Sequence, residues 1–306
     1  MRFVILDIIR ILATACIVTH HLLGRLSSSG LTKDVSILSV YDLSLGKPAL
    51  TIFLILSGLV LELRYRSRAV AYGRFIGQRI LRIYPTYYLA LLLGMVLYFG
   101  QKYYNTGHFS PPSSVFDLIG CFTGFYAFLG RWGGPFIGTS WYIGLIVTMY
   151  FMYPYLAKSI RRHPHIVISV LFLISILSRF ILKQYSYSYD FYGSFLYRAI
   201  RWFPLCRIFE FGLGIYLANI TKERVWSCIN AQGKGKSIVE FIAGISFPMF
   251  LVHVPLIALI PFLSNRGLHQ FVAVILYLGV STFISWIILV LDNHIQGRIA
   301  LRWAVR

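Results

Sequence analysis

FVILDIIRILATACIVTHHLL, residues 3–23, is an apolar run of helix length that carries four ionisable groups, Asp7, Arg10, His20 and His21. A bilayer core takes roughly 20 apolar residues per helix, and this run supplies them. A secretory signal would be a shorter apolar core followed by a small-residue cleavage site. The run is longer than that and charged inside, so it reads as a retained first membrane helix.

The same pattern recurs along the chain. Of 306 residues, 58% are hydrophobic and 13% charged, with a mean hydropathy of +0.71. A soluble domain carries charge on about a quarter of its residues, so a water-facing surface cannot be built from this composition. Apolar runs between charged punctuation predict helices near residues 3–24, 44–63, 80–99, 141–157, 165–182, 204–220, 240–262 and 268–291. A ninth segment, about 115–130, is shorter, rich in Gly and aromatic residues, and followed by a loop-like stretch at 131–138. It is expected to be re-entrant or interfacial rather than spanning. The predicted fold is therefore all-α, a polytopic transmembrane bundle of about eight to nine membrane helices forming one domain over 1–306. No internal repeat and no appended soluble domain is visible.

The net charge of +19 lies between the apolar runs rather than along one soluble face, which points to lipid headgroups and not to nucleic acid. Arg64, Arg66, Arg68, Arg74, Arg79 and Arg82 follow the second run. With that loop cytoplasmic and 115–130 not crossing, the basic stretches 158–165, 222–236 and 298–306 fall on the same side. Both termini are then cytoplasmic, and the protein is expected in the cell membrane as a multi-pass chain. Four scattered cysteines, Cys16, Cys121, Cys206 and Cys228, include no short-spaced pair, so neither a metal nor a disulfide is assigned.

An ionisable group inside a membrane helix costs several kcal/mol or more on most scales, so it needs a partner, a wet cavity or a task. Arg10 and His21 are eleven residues apart. On an α-helix that returns to within about 20° of one face and separates them by roughly 16 Å. Asp7, one turn before Arg10, neutralises it. Such a stripe suits an anionic donor at one depth and a proton-accepting imidazole at the other. The alternative is that His20 and His21 only mark the outer interface.

LDIIRILATACIVTHHL resembles the first helix of the integral membrane acyltransferase family 3, which includes O-acetyltransferases of bacterial surface polysaccharides and whose hallmark is an Arg, ten residues and a His. Similar segments follow in the same order over nearly the whole chain. TIFLILSGLVL resembles the family's aromatic-rich run ending in Ser-Gly, here Ser57 and Gly58. FIGQRILRIYPTYYLAL resembles its paired-Arg entry, with Arg79, Arg82 and Pro85. TSWYIGLIVTMYFMYP supplies Trp141 and Pro154, although Ile146 and Val147 stand where many members are acidic. RIFEFGLGIYLA holds Arg207 and Glu210 as an i,i+3 pair, and ISFPMFLVHVPLI places His253 in a His-x-Pro. Between 219 and 246 the chain is shorter than many relatives.

The resemblance implies an O-acyltransferase taking an acyl group, acetyl in the first instance, from acyl-CoA to a carbohydrate or lipid-linked sugar hydroxyl. His21 is the expected base and Arg10 the expected partner in catalysis. Arg79, Arg82, Ser57, Trp141, Arg207 and His253 are expected to bind substrate. Each residue also has a bland reading: Arg79 and Arg82 as headgroup contacts, Ser57 as a packing residue, Trp141 as an interface anchor, Arg207 as a structural ion pair. No Walker or dinucleotide glycine loop is present, and no nucleophile elbow or Cys near a His argues for an acyl-enzyme. Direct transfer in a ternary complex is the expectation. The competing class is a secondary transporter for an anionic solute, with Arg10, Arg207 and His253 along its path; a scaffold without chemistry would leave the buried charges unexplained.

Overall fold

The computed structural model describes residues 3–28, 45–68, 71–109, 115–129, 134–188, 200, 202–221 and 236–304. Its regular elements are helices: α1 (Val4–Ser28), α2 (Gly46–Tyr65), α3 (Tyr72–Thr106), α4 (Val115–Thr123), α5 (Trp141–Arg162), α6 (Pro164–Ser188), α7 (Pro204–Ile220), α8 (Lys236–Leu256), α9 (Leu259–Ser264) and α10 (Gln270–Ala304), with a 3₁₀ turn at Tyr126–Leu129. No strand occurs among the described residues.

Seven of these helices, α1, α2, α3, α5, α6, α8 and α10, are long and apolar enough to cross a membrane. The helix expected at 204–220 is α7, whose 17 residues span about 25 Å and stand at the short end of the spanning range. The ninth expected segment contains the nine-residue α4, about 13 Å long and too short to span a bilayer by itself. Two helices run well past their expected bounds. α3 and α10 each have 35 residues, about 52 Å, against a hydrocarbon core of about 30 Å, because helix formation continues beyond the apolar stretch until a breaker intervenes. At α3 the breaker is Gly107, which takes a left-handed φ of 71° that glycine adopts at little cost. The single helix expected at 240–262 is two: Pro255 removes a backbone donor near the end of α8, and a turn at 257–258 precedes α9. His253 consequently sits near the end of α8 rather than in the middle of a helix.

Close backbone approach organises the centre. A Cβ on Gly58 of α2 would overlap the Phe211 carbonyl of α7, and one on Gly214 of α7 would overlap the Ile55 carbonyl of α2. Reciprocal glycines of this kind let two membrane helices pack backbone to backbone. Segment 134–140 packs on α3 in the same way, since a Cβ on Gly94 would meet the Phe136 carbonyl at 2.5 Å. Two charge clusters join further helices. Glu62 of α2, wholly buried, accepts two hydrogen bonds from Arg161 of α5, at 2.6 and 2.8 Å, and one from the Tyr153 hydroxyl at 2.9 Å. Glu210 of α7 takes Arg207 at 2.9 Å and Arg179 of α6 at 2.5 Å. The outward faces of α6 and α10 are apolar, with Leu173, Leu177, Phe180, Ile275, Phe283 and Val290 exposed, as a surface solvated by lipid requires.

Candidate active site

The sequence-predicted residues gather into two groups along the bundle. At the end where α2 leads into α3, a cavity of about 990 Å³ is lined by Arg10, Ser57, Arg64, Arg68, Arg74, Arg79, Arg82 and Tyr150. A second of about 1230 Å³ shares Arg10, Phe53, Ser57, Arg64, Arg68, Arg82 and Tyr150 with it and continues to Tyr142, Phe250 and Asp292. The two form one chamber. Arg10 reaches it from α1 while donating to Asp7 at 2.8 Å. Arg79 donates to the Tyr65 hydroxyl at 2.9 Å and lies over the Tyr65 ring, 5.4 Å from its centroid. Its Nε is buried with no hydrogen-bond partner among the described residues. A buried, orphaned donor costs about 1–3 kcal/mol, and an anionic oxygen in the chamber would satisfy it. Arg82 donates to Gln296 of α10 at 3.3 Å.

Ser57 donates to the Phe53 carbonyl at 2.8 Å, one turn back on α2. It lines the chamber together with Tyr142 and Tyr150 of α5. Phe53, Tyr142 and Phe250 pack as a triangle of rings, with centroids 5.1–6.4 Å apart. They line the chamber, and the ring centroids of Phe250 and His253 are 6.2 Å apart.

Beyond that layer, α1 and α8 bring His21 and His253 together. Nε2 of His253 is 3.0 Å from Nδ1 of His21. The hydrogen-bond partners fix the neutral tautomers. His253 Nδ1 faces the Met249 carbonyl at 3.0 Å; a carbonyl only accepts, so this nitrogen carries the proton and Nε2 carries the lone pair. His21 Nδ1 is therefore the donor, toward His253 and toward the Ile17 carbonyl at 3.1 Å. The unprotonated nitrogen of His21 is Nε2. His253 is wholly buried and its backbone carbonyl accepts from Tyr277 of α10 at 3.2 Å, which anchors the pair.

Trp141 is buried and meets Tyr142 edge to face at 6.0 Å. Arg207 pairs with Glu210 and donates to Thr51 at 3.2 Å. Arg10, Ser57, Arg79 and Arg82 thus share the chamber, His21 and His253 touch each other, Trp141 packs on Tyr142, and Arg207 bonds Thr51 in the N-terminal half of α2. Arg10 and His21 are not brought together, as their eleven-residue spacing implies. Tyr142, Tyr150 and Asp292 were not singled out from sequence. With 21 tyrosines in the chain, pattern alone does not separate one that lines a chamber from one that packs. Among the described residues no cluster of three or more His, Cys, Asp or Glu could hold a metal. Cys228 and the rest of residues 222–235 lie outside the described residues.

Compared with known proteins, residues 3–226 match the family model for an acyltransferase domain, the acyltransferase 3 group, over more than two thirds of the chain. No curated protein and no solved structure matches.

Proposed function

Since this chain belongs to the acyltransferase 3 family and is a multi-pass membrane protein by its helices, we propose that it is an O-acyltransferase moving an acyl group, acetyl in the first instance, from acyl-CoA to a hydroxyl of a carbohydrate or lipid-linked sugar. The observation that carries the chemistry is the His21–His253 contact, which leaves His21 Nε2 as an oriented lone pair. In this reading the acceptor oxygen attacks the thioester carbonyl carbon while His21 Nε2 takes the hydroxyl proton. The tetrahedral intermediate collapses, the C–S bond breaks, and the departing thiolate regains a proton from the imidazolium. His253 offers only a lone pair to His21 Nδ1, so it holds the ring in the reactive tautomer as a carboxylate does in a hydrolytic triad.

The arginine chamber supports the donor assignment. Arg10, Arg64, Arg68, Arg74, Arg79 and Arg82 line it, and guanidinium groups bind phosphate oxygens with charge-assisted, often bidentate hydrogen bonds. By the positive-inside rule this mouth faces the cytoplasm, where acyl-CoA is made, and both termini lie on that side. Arg10 sits roughly 16 Å from His21 along α1, so it positions the donor instead of contacting the oxyanion. The Phe53–Tyr142–Phe250 layer is where donor carbonyl and acceptor hydroxyl meet, with Ser57 and Trp141 packed around it. Arg207, tied to Glu210 and Thr51, serves the acceptor side.

The test supplies radiolabelled acetyl-CoA to purified protein in liposomes with free and lipid-linked glycans. Label should appear as a base-labile ester in the glycan or lipid fraction. Arg79→Ala and Arg82→Ala should each raise the KM for acetyl-CoA about tenfold or more with a smaller change in kcat. Absence of transfer with every acyl-CoA and acceptor, together with movement of an anionic solute across the vesicle, would replace this reading by transport.

A further inference from the structure

Besides its basic mouth, the chamber has a side wing against α1, α8 and α10, where the lining turns apolar with Phe3, Leu6, Phe241, Phe247 and Leu289. α8 and α10 close on each other where Gly244 faces Leu289, since a Cβ on the glycine would stand 3.1 Å from a methyl of the leucine. About one turn earlier on α8, Phe241 lines the chamber and is also 49% exposed, on a helix long and apolar enough to span the membrane. The wing therefore borders on lipid.

Beside this apolar surface stand groups of both signs. Arg64, Arg66, Arg68 and Arg82 line the same space, as do Glu240 and Asp292, and Asp7 does so while bonded to Arg10. Asp292 is only 5% exposed. Its Oδ2 accepts from Gln296 Nε2 at 2.7 Å, and its Oδ1 is buried with no partner among the described residues. A buried acceptor in that state is costly unless a ligand brings the donor. Gln296 also accepts from Arg82, so the empty oxygen and a guanidinium stand at the two ends of one short chain of hydrogen bonds.

We infer that the wing is a binding site for a membrane phospholipid with an ethanolamine headgroup, its phosphate on Arg82 and the neighbouring arginines, its ammonium on Asp292 Oδ1 and its acyl chains along the apolar lining. Each part answers one observation. Guanidinium groups take phosphate oxygens, the apolar wing at the lipid boundary takes hydrocarbon, and the empty carboxylate oxygen takes an N–H that carries positive charge. A choline headgroup has the charge without the N–H. A glycerol headgroup donates O–H but brings no positive charge opposite Glu240 and Asp292. A serine headgroup adds a carboxylate that those two acids repel. The inference uses the chamber and the membrane class alone and does not depend on the acyl donor or acceptor proposed above.

The experiment titrates the full chain in detergent with phospholipids of identical dioleoyl chains and ethanolamine, choline or glycerol headgroups, and reads bound lipid by native mass spectrometry; chain-free glycerophosphoethanolamine serves as competitor. Wild type should retain the ethanolamine lipid about tenfold better than either of the others, and the chain-free competitor at equal concentration should not displace it. Asp292→Leu, which removes both carboxylate oxygens, should abolish the preference and leave retention of the choline lipid unchanged. Equal wild-type retention of ethanolamine and choline lipids overturns the inference without any variant, which covers a substitution that does not fold. Retention of the glycerol lipid above the other two reduces the wing to a plain anion site and also overturns it. So does a preference that survives in Asp292→Leu, or displacement by the chain-free headgroup, which would leave the apolar lining without a part in binding.

Discussion

His253 and His21 illustrate what a single contact decides. The sequence marks His21 by its spacing from Arg10 and His253 by its His-x-Pro, and neither signal joins the two. The contact at 3.0 Å, with Met249 holding the other nitrogen, determines which nitrogen of His21 is basic. This leads to a prediction that a packing role would not make. His253→Gln retains an acceptor oxygen for His21 Nδ1 and should keep kcat within about tenfold of wild type, whereas His253→Met, similar in size but without that oxygen, should lose on the order of 10²–10³-fold with KM for acetyl-CoA unchanged. Equal losses in the two variants, read by steady-state transfer kinetics, would reduce His253 to a core residue. That His253 was visible as a candidate owes to its placement in an apolar run; that it serves His21 could not be read, because the two are 232 residues apart in the chain and one sequence carries no information about which membrane helices are neighbours.

Helices and their junctions were legible where apolar length and breakers coincide, as in α1, α2 and α5, and less so where a helix continues past its apolar stretch, as in α3 and α10. Pairing between elements was the opaque part. Glu62 was not singled out from sequence, its partner Arg161 lies at the far end of α5, and Arg179 joins the Glu210 cluster from α6. Glu62→Gln should remove the counter-charge of Arg161 and destabilise the folded protein by about 3 kcal/mol, measured as a lowered midpoint in detergent thermal unfolding. Gly214→Ala puts a methyl group where the α2 backbone stands and should cost about 1–3 kcal/mol through overpacking. Gly24→Ala, with nothing within 4 Å of the added carbon, should be close to neutral by the same measurement. A Gly214→Ala midpoint equal to that of Gly24→Ala would contradict the backbone-to-backbone crossing of α2 and α7.

At the scale of the molecule, the proposed reaction is ordered in space by a basic mouth on the donor side and an imidazole pair next to the Phe53, Tyr142 and Phe250 layer, where donor and acceptor would meet. The sequence announced the membrane class through composition and the mouth through clustered arginines. It did not reveal the chamber, because a cavity is made by the joint arrangement of helices and not by any one of them. The proposed sidedness rests on the distribution of Lys and Arg: a C-terminal fluorescent fusion should light up while a C-terminal alkaline phosphatase fusion stays inactive, and the reverse would invert the assignment. The most direct test of the whole account is the rate of acetyl transfer from acetyl-CoA by His21→Ala protein against wild type in the same liposomes, with equal thermal unfolding midpoints establishing that both are folded. A fall of about 10²–10⁴-fold is predicted for loss of a general base. Transfer by folded His21→Ala at the wild-type rate would contradict it, and the base would have to be sought elsewhere in the bundle.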